Sequence, residues 1–205
     1  MNLTMFFQGL VLGFSIAAPV GPIGILCIQR TLARGMGLGF VSGLGAATAD
    51  AIYGCIAGFG LTVIANFLVA QQLWFRLLGG SFLAYLGVKI FLTSPAKSVA
   101  AETELSYGSA YGTTLFLTLT NPMTILAFAA IFAGLGVVDT AAHSTSASLL
   151  VIGVFVGSGL WWGILSGVTG LLHGKLDARK LSWINKIAGL IVLTFALLAF
   201  TSVLL

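Results

Sequence analysis

Long apolar runs separated by short polar stretches make up this chain. A window of about 19 residues, the usual length of a membrane-spanning helix, predicts six spans at residues 4–29, 37–64, 73–93, 109–136, 148–172 and 184–204. No stretch between them is long enough for a soluble domain. We therefore predict an all-α, multi-pass membrane protein with a single membrane domain, residues 1–205.

Composition and charge support this class. The chain is 59% hydrophobic and 7% charged, whereas a soluble domain is roughly 25% charged. The basic residues are scattered, so we expect no nucleic-acid partner. Eight of the nine basic residues lie in or beside the first, third and fifth connections, with Arg30 and Arg34 in the first, QRTLARGMG. The positive-inside rule then places these connections in the cytoplasm and both termini outside.

Prolines interrupt two of the six predicted spans. Span 1 contains Pro19, Gly21 and Pro22 within the stretch IAAPVGPIGIL, and span 4 contains Asn121 and Pro122. A break at membrane depth frees backbone N–H and C=O groups, which only protein or a water-filled cavity can satisfy. We expect both helices to be broken, with their half-helix ends at one substrate cavity. A proline kink that serves packing alone is the alternative.

The two halves of the sequence resemble each other weakly. Spans 2 and 5 share the pattern G-x-x-x-G-x-G, at Gly39, Gly43 and Gly45 and at Gly153, Gly157 and Gly159. We predict two inverted three-helix repeats, residues 1–94 and 109–205, joined by a cytoplasmic connection at 95–108. The glycine pairs favour helix packing, within one chain or in a homodimer.

One carboxylate lies inside a predicted span. Asp50 is at the centre of span 2, where a charge costs at least ~2.5–3.5 kcal/mol, and the other four acidic residues lie in connections. At 100° per residue, small side chains and Tyr53 share its face of the helix. This pattern predicts a group that binds a proton or the ammonium of a substrate. A hydrogen-bonded carboxylate that locks helices together is the alternative.

These motifs resemble the LysE-type amino-acid exporters, in particular their homoserine/threonine efflux branch. The resemblance rests on APVGPIGIL in span 1, RTLARGMGLGF after it, GLGAATAD in span 2 and N-P in span 4. It implies export of amino acids or related metabolites across the bacterial inner membrane, driven by protons. The family's motif residues match Pro19, Gly21, Pro22, Asp50, Asn121 and Pro122.

Two departures from the family pattern bear on the substrate. Ile23 and Gly24 stand where exporters of basic amino acids carry a polar pair, which favours a neutral substrate. Met123 and Thr124 stand where many relatives carry a lysine. A transporter of a metal or other small ion on a similar scaffold is the alternative, although only Asp50 offers a metal ligand at depth. We expect no cofactor and no enzymatic activity.

Overall fold

Seven α-helices form the part of the chain that the computed structural model describes, residues 2–59, 67, 70–92, 105–121, 124–125, 127–128, 144–172 and 178–204. No strand occurs in these residues, which confirms the predicted all-α class. The helices are α1 (Asn2–Ala17), α2 (Pro22–Arg34), α3 (Met36–Gly58), α4 (Gln72–Leu92), α5 (Tyr107–Leu119), α6 (Ser144–Gly170) and α7 (Ala178–Leu204).

Span 1 is broken between α1 and α2. The last hydrogen bond of α1 joins the Ala18 N–H to the Phe14 carbonyl, at 2.9 Å. Pro19 and Pro22 have no N–H to continue this ladder. Pro22 instead opens α2, at a position where the missing donor is not needed. The two helix axes differ by 81°, which confirms the predicted break.

Span 4 is interrupted at the predicted place. After α5 ends at Leu119, the Asn121 N–H turns back to the Thr118 carbonyl, at 3.2 Å. Helical structure resumes at residues 124–125 and 127–128, where the Thr124 and Ile125 N–H groups donate to the Asn121 carbonyl at 3.1 and 3.2 Å. Pro122 itself lies outside the described residues.

The first connection differs from its prediction. Residues 29–37, QRTLARGMG, were expected to link spans 1 and 2, but α2 continues to Arg34 and α3 begins at Met36. Gly35 alone joins them, with a φ of 86° that favours glycine. Arg30 therefore lies on a helix that packs against α3, and not in a connection.

Glycines let several helices approach each other closely. A Cβ at Gly9 or Gly13 of α1 would overlap the backbone of α6, and one at Gly153 or Gly157 of α6 would overlap the backbone of α1. Gly43 of α3 meets the side chain of Trp162 in α6 in the same way. These contacts confirm that the glycine pattern serves packing, and they lie within one chain.

The helices α4 and α7 form a pair. They pack along each other through Gly80, Gly87 and Gly189. The pair meets α2 through a hydrogen bond from the Gln29 Nε2 to the Asn185 Oδ1, 3.3 Å long. A second meeting place is the end of α5, where Gly79 of α4 lies against the Thr120 carbonyl.

Four of the six predicted spans have the length and hydropathy of a bilayer crossing in the described residues. They are Met36–Ile56 within α3, Thr145–Gly170 within α6, Ser182–Thr201 within α7, and the bent pair of α1 and α2 taken as one span. The count of six and the orientation of the termini remain predictions.

Candidate functional site

A small cavity lies where the two helix breaks meet. Its lining residues come from the first turn of α2, from α4, and from the end of α5 with the break that follows: Pro22, Ile23, Gly79, Leu83, Leu117 and Asn121. Its volume is about 10 Å³, the space of roughly one water molecule. The structure thus brings together Pro22 and Asn121, two site residues predicted from opposite halves of the sequence.

The walls of this cavity are mostly apolar. Ile23, Leu83 and Leu117 are buried side chains, and the carboxamide of Asn121 is the polar side chain in the lining. The Asn121 Nδ2 donates to the Thr124 Oγ1 at 3.0 Å, which fixes the amide across the break. The lining contains no charged residue.

The helix α4 contributes a wall that sequence reasoning missed. A Cβ at Gly79 would lie 2.7 Å from the Thr120 carbonyl oxygen, which is closer than side chains approach. Only glycine therefore lets α4 touch the end of α5, and Leu83 follows one turn later on the same face. A glycine and a leucine in an apolar helix carry no signal that separates them from ordinary packing residues.

Backbone polar groups are present at both breaks. The first N–H groups of α2 have no carbonyl one turn earlier in their own helix, and the N-cap Gly21 has no side chain to accept them. This end of α2 carries a partial positive charge. At the other break, the Leu119 carbonyl accepts a hydrogen bond from the Tyr53 hydroxyl, at 2.7 Å.

Tyr53 links α3 to both sides of the break in span 4. Besides its bond to Leu119, its ring packs against Phe128, with centroids 5.4 Å apart. Phe128 belongs to the helical residues that follow the break. Tyr53 therefore supports the break and does not line the cavity.

Asp50 lies at the contact between α3 and α6. It is 3% exposed and accepts a hydrogen bond from the Ser158 Oγ at 2.7 Å. The Ser158 Oγ in turn accepts one from the Trp162 Nε1 at 3.1 Å. Asp50 is absent from the cavity lining, so the structure separates the predicted carboxylate from the space where the two breaks meet.

Two further predicted site residues, Pro19 and Gly21, do not line the cavity. Pro19 is exposed and Gly21 is half-buried in the link between α1 and α2. A Cβ at Gly21 would meet nothing within 4 Å, so no close approach requires a glycine there. Pro122 lies outside the described residues.

Arg30 is a polar anchor that sequence reasoning placed in a connection. It is 4% exposed, and its Nη1 donates to the Ser42 Oγ at 3.0 Å and to the Ala110 carbonyl at 2.9 Å. Its Nη2 donates to the Thr113 Oγ1 at 2.8 Å. The guanidinium fork thus holds α2 against both α3 and α5.

The described residues provide no donor set for a metal ion. No three of their His, Cys, Asp and Glu side chains come close enough to share one. The Cys27 thiol is fully buried and Cys55 is partly exposed on another helix. The alternative of a metal transporter gains no support from this part of the chain.

Comparison with known proteins covers almost the whole chain. The model of the LysE type translocator family matches residues 14–202. A putative amino acid efflux protein, YcgF, of Bacillus subtilis (strain 168) is 27% identical over 198 residues, 94% of this chain and 93% of the relative. A leucine efflux protein of Salmonella choleraesuis (strain SC-B67) is 29% identical over 192 residues, 89% of this chain and 88% of the relative. No solved structure matches.

Proposed function

This chain belongs to the family of LysE type translocators, multi-pass membrane transporters rather than enzymes, and we propose that it exports a neutral amino acid across the bacterial inner membrane in exchange for protons. The observation that carries the proposal is the cavity bounded by Pro22 and Asn121. A site built from two interrupted helices is characteristic of secondary transporters. The relatives named for efflux of amino acids and of leucine match this chain over nearly its full length.

The cavity suits the backbone end of an amino acid. The positive end of α2 beside Pro22 and Ile23 would hold a carboxylate. The Asn121 carboxamide and the carbonyl groups around the second break would accept hydrogen bonds from an ammonium. Because Asp50 is not in the cavity lining, its proposed role is to take up and release the proton. Tyr53, one turn further along α3, connects that helix to the second break.

The packing of the helices supports the proposed inverted repeat. The first half of span 1 (α1) packs on span 5 (α6), and the first half of span 4 (α5) packs on span 2 (α3). Spans 2 and 5 pack on each other, and spans 3 and 6 form the pair of α4 and α7. Exchanging the two halves converts the first of these contacts into the second and returns the other two unchanged, as a two-fold axis requires.

The same packing favours one kind of movement over another. The two proposed repeats pack on each other at two places, where α1 contacts α6 and where α5 contacts α3. Separating the repeats would therefore break their close glycine contacts. The cavity lies instead between the α4–α7 pair and the helices that carry the breaks. We propose that this pair moves against the remaining helices to open the cavity, which at about 10 Å³ is too small for an amino acid.

The proposal is tested with purified protein in proteoliposomes. Efflux of a panel of labelled amino acids is measured with and without an imposed proton gradient, for the wild type, Asp50→Asn and the control Asp177→Asn. Asp177 is an acidic residue that the sequence places in a connection. We expect gradient-driven movement of at least one neutral amino acid, abolished by Asp50→Asn and retained by Asp177→Asn.

Two results would contradict the proposal. If no amino acid in the panel moves, export of amino acids is wrong. If Asp50→Asn transports with its response to the gradient intact, amino-acid export stands and Asp50 only joins α3 to α6.

A further inference from the structure

The residues that α4 adds to the cavity lining are apolar, which bears on the kind of substrate that the cavity accepts. Leu83 lines the cavity together with Ile23 and Leu117, and all three side chains are buried. The polar groups, Asn121 and the ends of the broken helices, lie at the breaks themselves. The lining therefore combines polar groups at the breaks with an apolar region, the three buried side chains, to which α4 contributes Leu83.

This combination matches an amino acid with an apolar side chain. Its carboxylate and ammonium need the polar groups, which leaves the apolar region, Leu83 included, for the side chain. A charged side chain would lose its hydration there without a partner, which is costly. Asp50 is the single acidic residue in the described part of the chain, and it is bound to Ser158 outside this lining.

We propose, on the basis of the export function above, that the transported amino acid carries a small aliphatic side chain and that Leu83 sets the largest size accepted. Leu83 is suited to this role because α4 carries neither break. Gly79 brings α4 against the Thr120 carbonyl in the closed arrangement, and Leu83 is the bulkiest side chain that α4 contributes to the lining. Ile23 and Leu117 line the cavity from α2 and α5.

The test is a comparison of substrate ratios within each variant. Proteoliposomes preloaded with unlabelled amino acid take up labelled alanine, leucine, phenylalanine or lysine by counterflow, which needs no proton gradient. The variants are Leu83→Ala, which enlarges the apolar region, and Leu83→Phe, which fills it. Leu78→Ala is the matched control, since Leu78 is on the same helix but 58% exposed.

We expect the wild type to favour leucine or alanine over lysine. Leu83→Phe should lower the leucine-to-alanine rate ratio by about tenfold or more, because a methylene in an apolar pocket changes discrimination by roughly 10–200-fold. Leu83→Ala should raise the phenylalanine-to-leucine ratio, and Leu78→Ala should keep the wild-type ratios. A ratio within one variant does not depend on how much of the protein is folded, and Leu83→Val provides a milder change.

Three results would overturn this inference. If all Leu83 variants keep the wild-type ratios, another wall selects the side chain. If the wild type transports only lysine among the four, the apolar region does not hold a side chain, although amino-acid export stands. If the wild type moves none of the four amino acids but transports another member of the wider panel, export stands and this inference fails; if the wider panel also shows no transport, both fail.

Discussion

Asp50 receives its hydrogen bond from Ser158, and Ser158 is itself held by the indole of Trp162. The indole can only donate, so the Ser158 oxygen accepts from it and turns its own hydrogen toward the carboxylate. The sequence identified Asp50 because an acid in an apolar span is rare. Ser158 and Trp162 carry no such signal, since their role depends on where α6 crosses α3.

The contribution of the Ser158 hydroxyl to the free energy of unfolding can be compared with that of a second serine in α6. Ser158→Ala removes the donor to Asp50 and should lower the free energy of unfolding by about 1–3 kcal/mol, the cost of an unsatisfied buried acceptor. Ser166 is the matched control because its hydroxyl is buried with no hydrogen-bond partner in the described structure. Ser166→Ala should leave the stability unchanged or raise it slightly.

Thermal unfolding of both variants in the same detergent is the measurement for this prediction. Equal losses of stability in Ser158→Ala and Ser166→Ala would show that the hydroxyl contributes nothing specific to Asp50. A loss confined to Ser158→Ala would support a carboxylate held by a directed hydrogen bond.

At the scale of helices, the sequence predicted best those features that the covalent structure of a residue determines by itself. Pro19 and Pro22 lack the N–H that a continuous helix needs, so the break of span 1 was predictable. The predicted span 73–93 closely matches α4, Gln72–Leu92. The prediction of the first connection was wrong because an arginine such as Arg30 is usually a solvent-exposed charge, and we placed it between the spans for that reason. In the structure its Nη1 and Nη2 donate to Ser42, Ala110 and Thr113, and those contacts are tertiary.

The contact between α4 and the second break also depends on tertiary structure. Gly79→Ala would place a Cβ 2.7 Å from the Thr120 carbonyl oxygen and force the two helices apart. We expect a loss of about 1–3 kcal/mol in unfolding free energy, as for other overpacked sites, together with reduced transport.

Gly112→Ala in α5 is the control for this change, since a Cβ there would meet nothing within 4 Å. Alanine is favoured over glycine inside a helix by roughly 0.5–1 kcal/mol, so this variant should be as stable as the wild type or more so. Chemical or thermal denaturation of the two variants measures their stability, and counterflow measures their transport. A Gly79→Ala protein that is as stable and active as Gly112→Ala would exclude a close contact at Thr120.

For the whole molecule, the sequence predicts an inverted repeat only from weak similarity between its halves, and it does not show how the two halves pack on each other. Glycine patterns predict that helices approach closely, but they do not say which helix is the partner. The structure assigns α6 as the partner of α1 and α3 as the partner of α5. It also separates α4 and α7 as a pair, which led us to propose their movement.

Cross-linking tests this movement. In a variant lacking Cys27 and Cys55, Gln29→Cys and Asn185→Cys place thiols on α2 and α7, whose native side chains are hydrogen-bonded at 3.3 Å. A short reversible bifunctional thiol reagent should stop counterflow, and a reductant should restore it, because the link ties the α4–α7 pair to α2.

The control link lies inside the pair. A Cβ at Gly80 would lie 3.3 Å from the Ala199 Cβ, close to the usual Cβ–Cβ separation in a disulfide. A disulfide between Gly80→Cys and Ala199→Cys should therefore form and leave counterflow intact. Full activity of the cross-linked Gln29→Cys/Asn185→Cys protein would refute movement between the pair and α2.

The close packing of α1 on α6 also has a consequence for biosynthesis. Residues 2–17 enter the membrane first, whereas their glycine-lined partner surface on α6 begins only at Ser144. Until then the ribosome has produced most of the chain while Gly9 and Gly13 face lipid or the insertion machinery. The amino-terminal half therefore cannot complete its packing until α6 has been made, and a chain that stops before α6 leaves α1 without its partner helix.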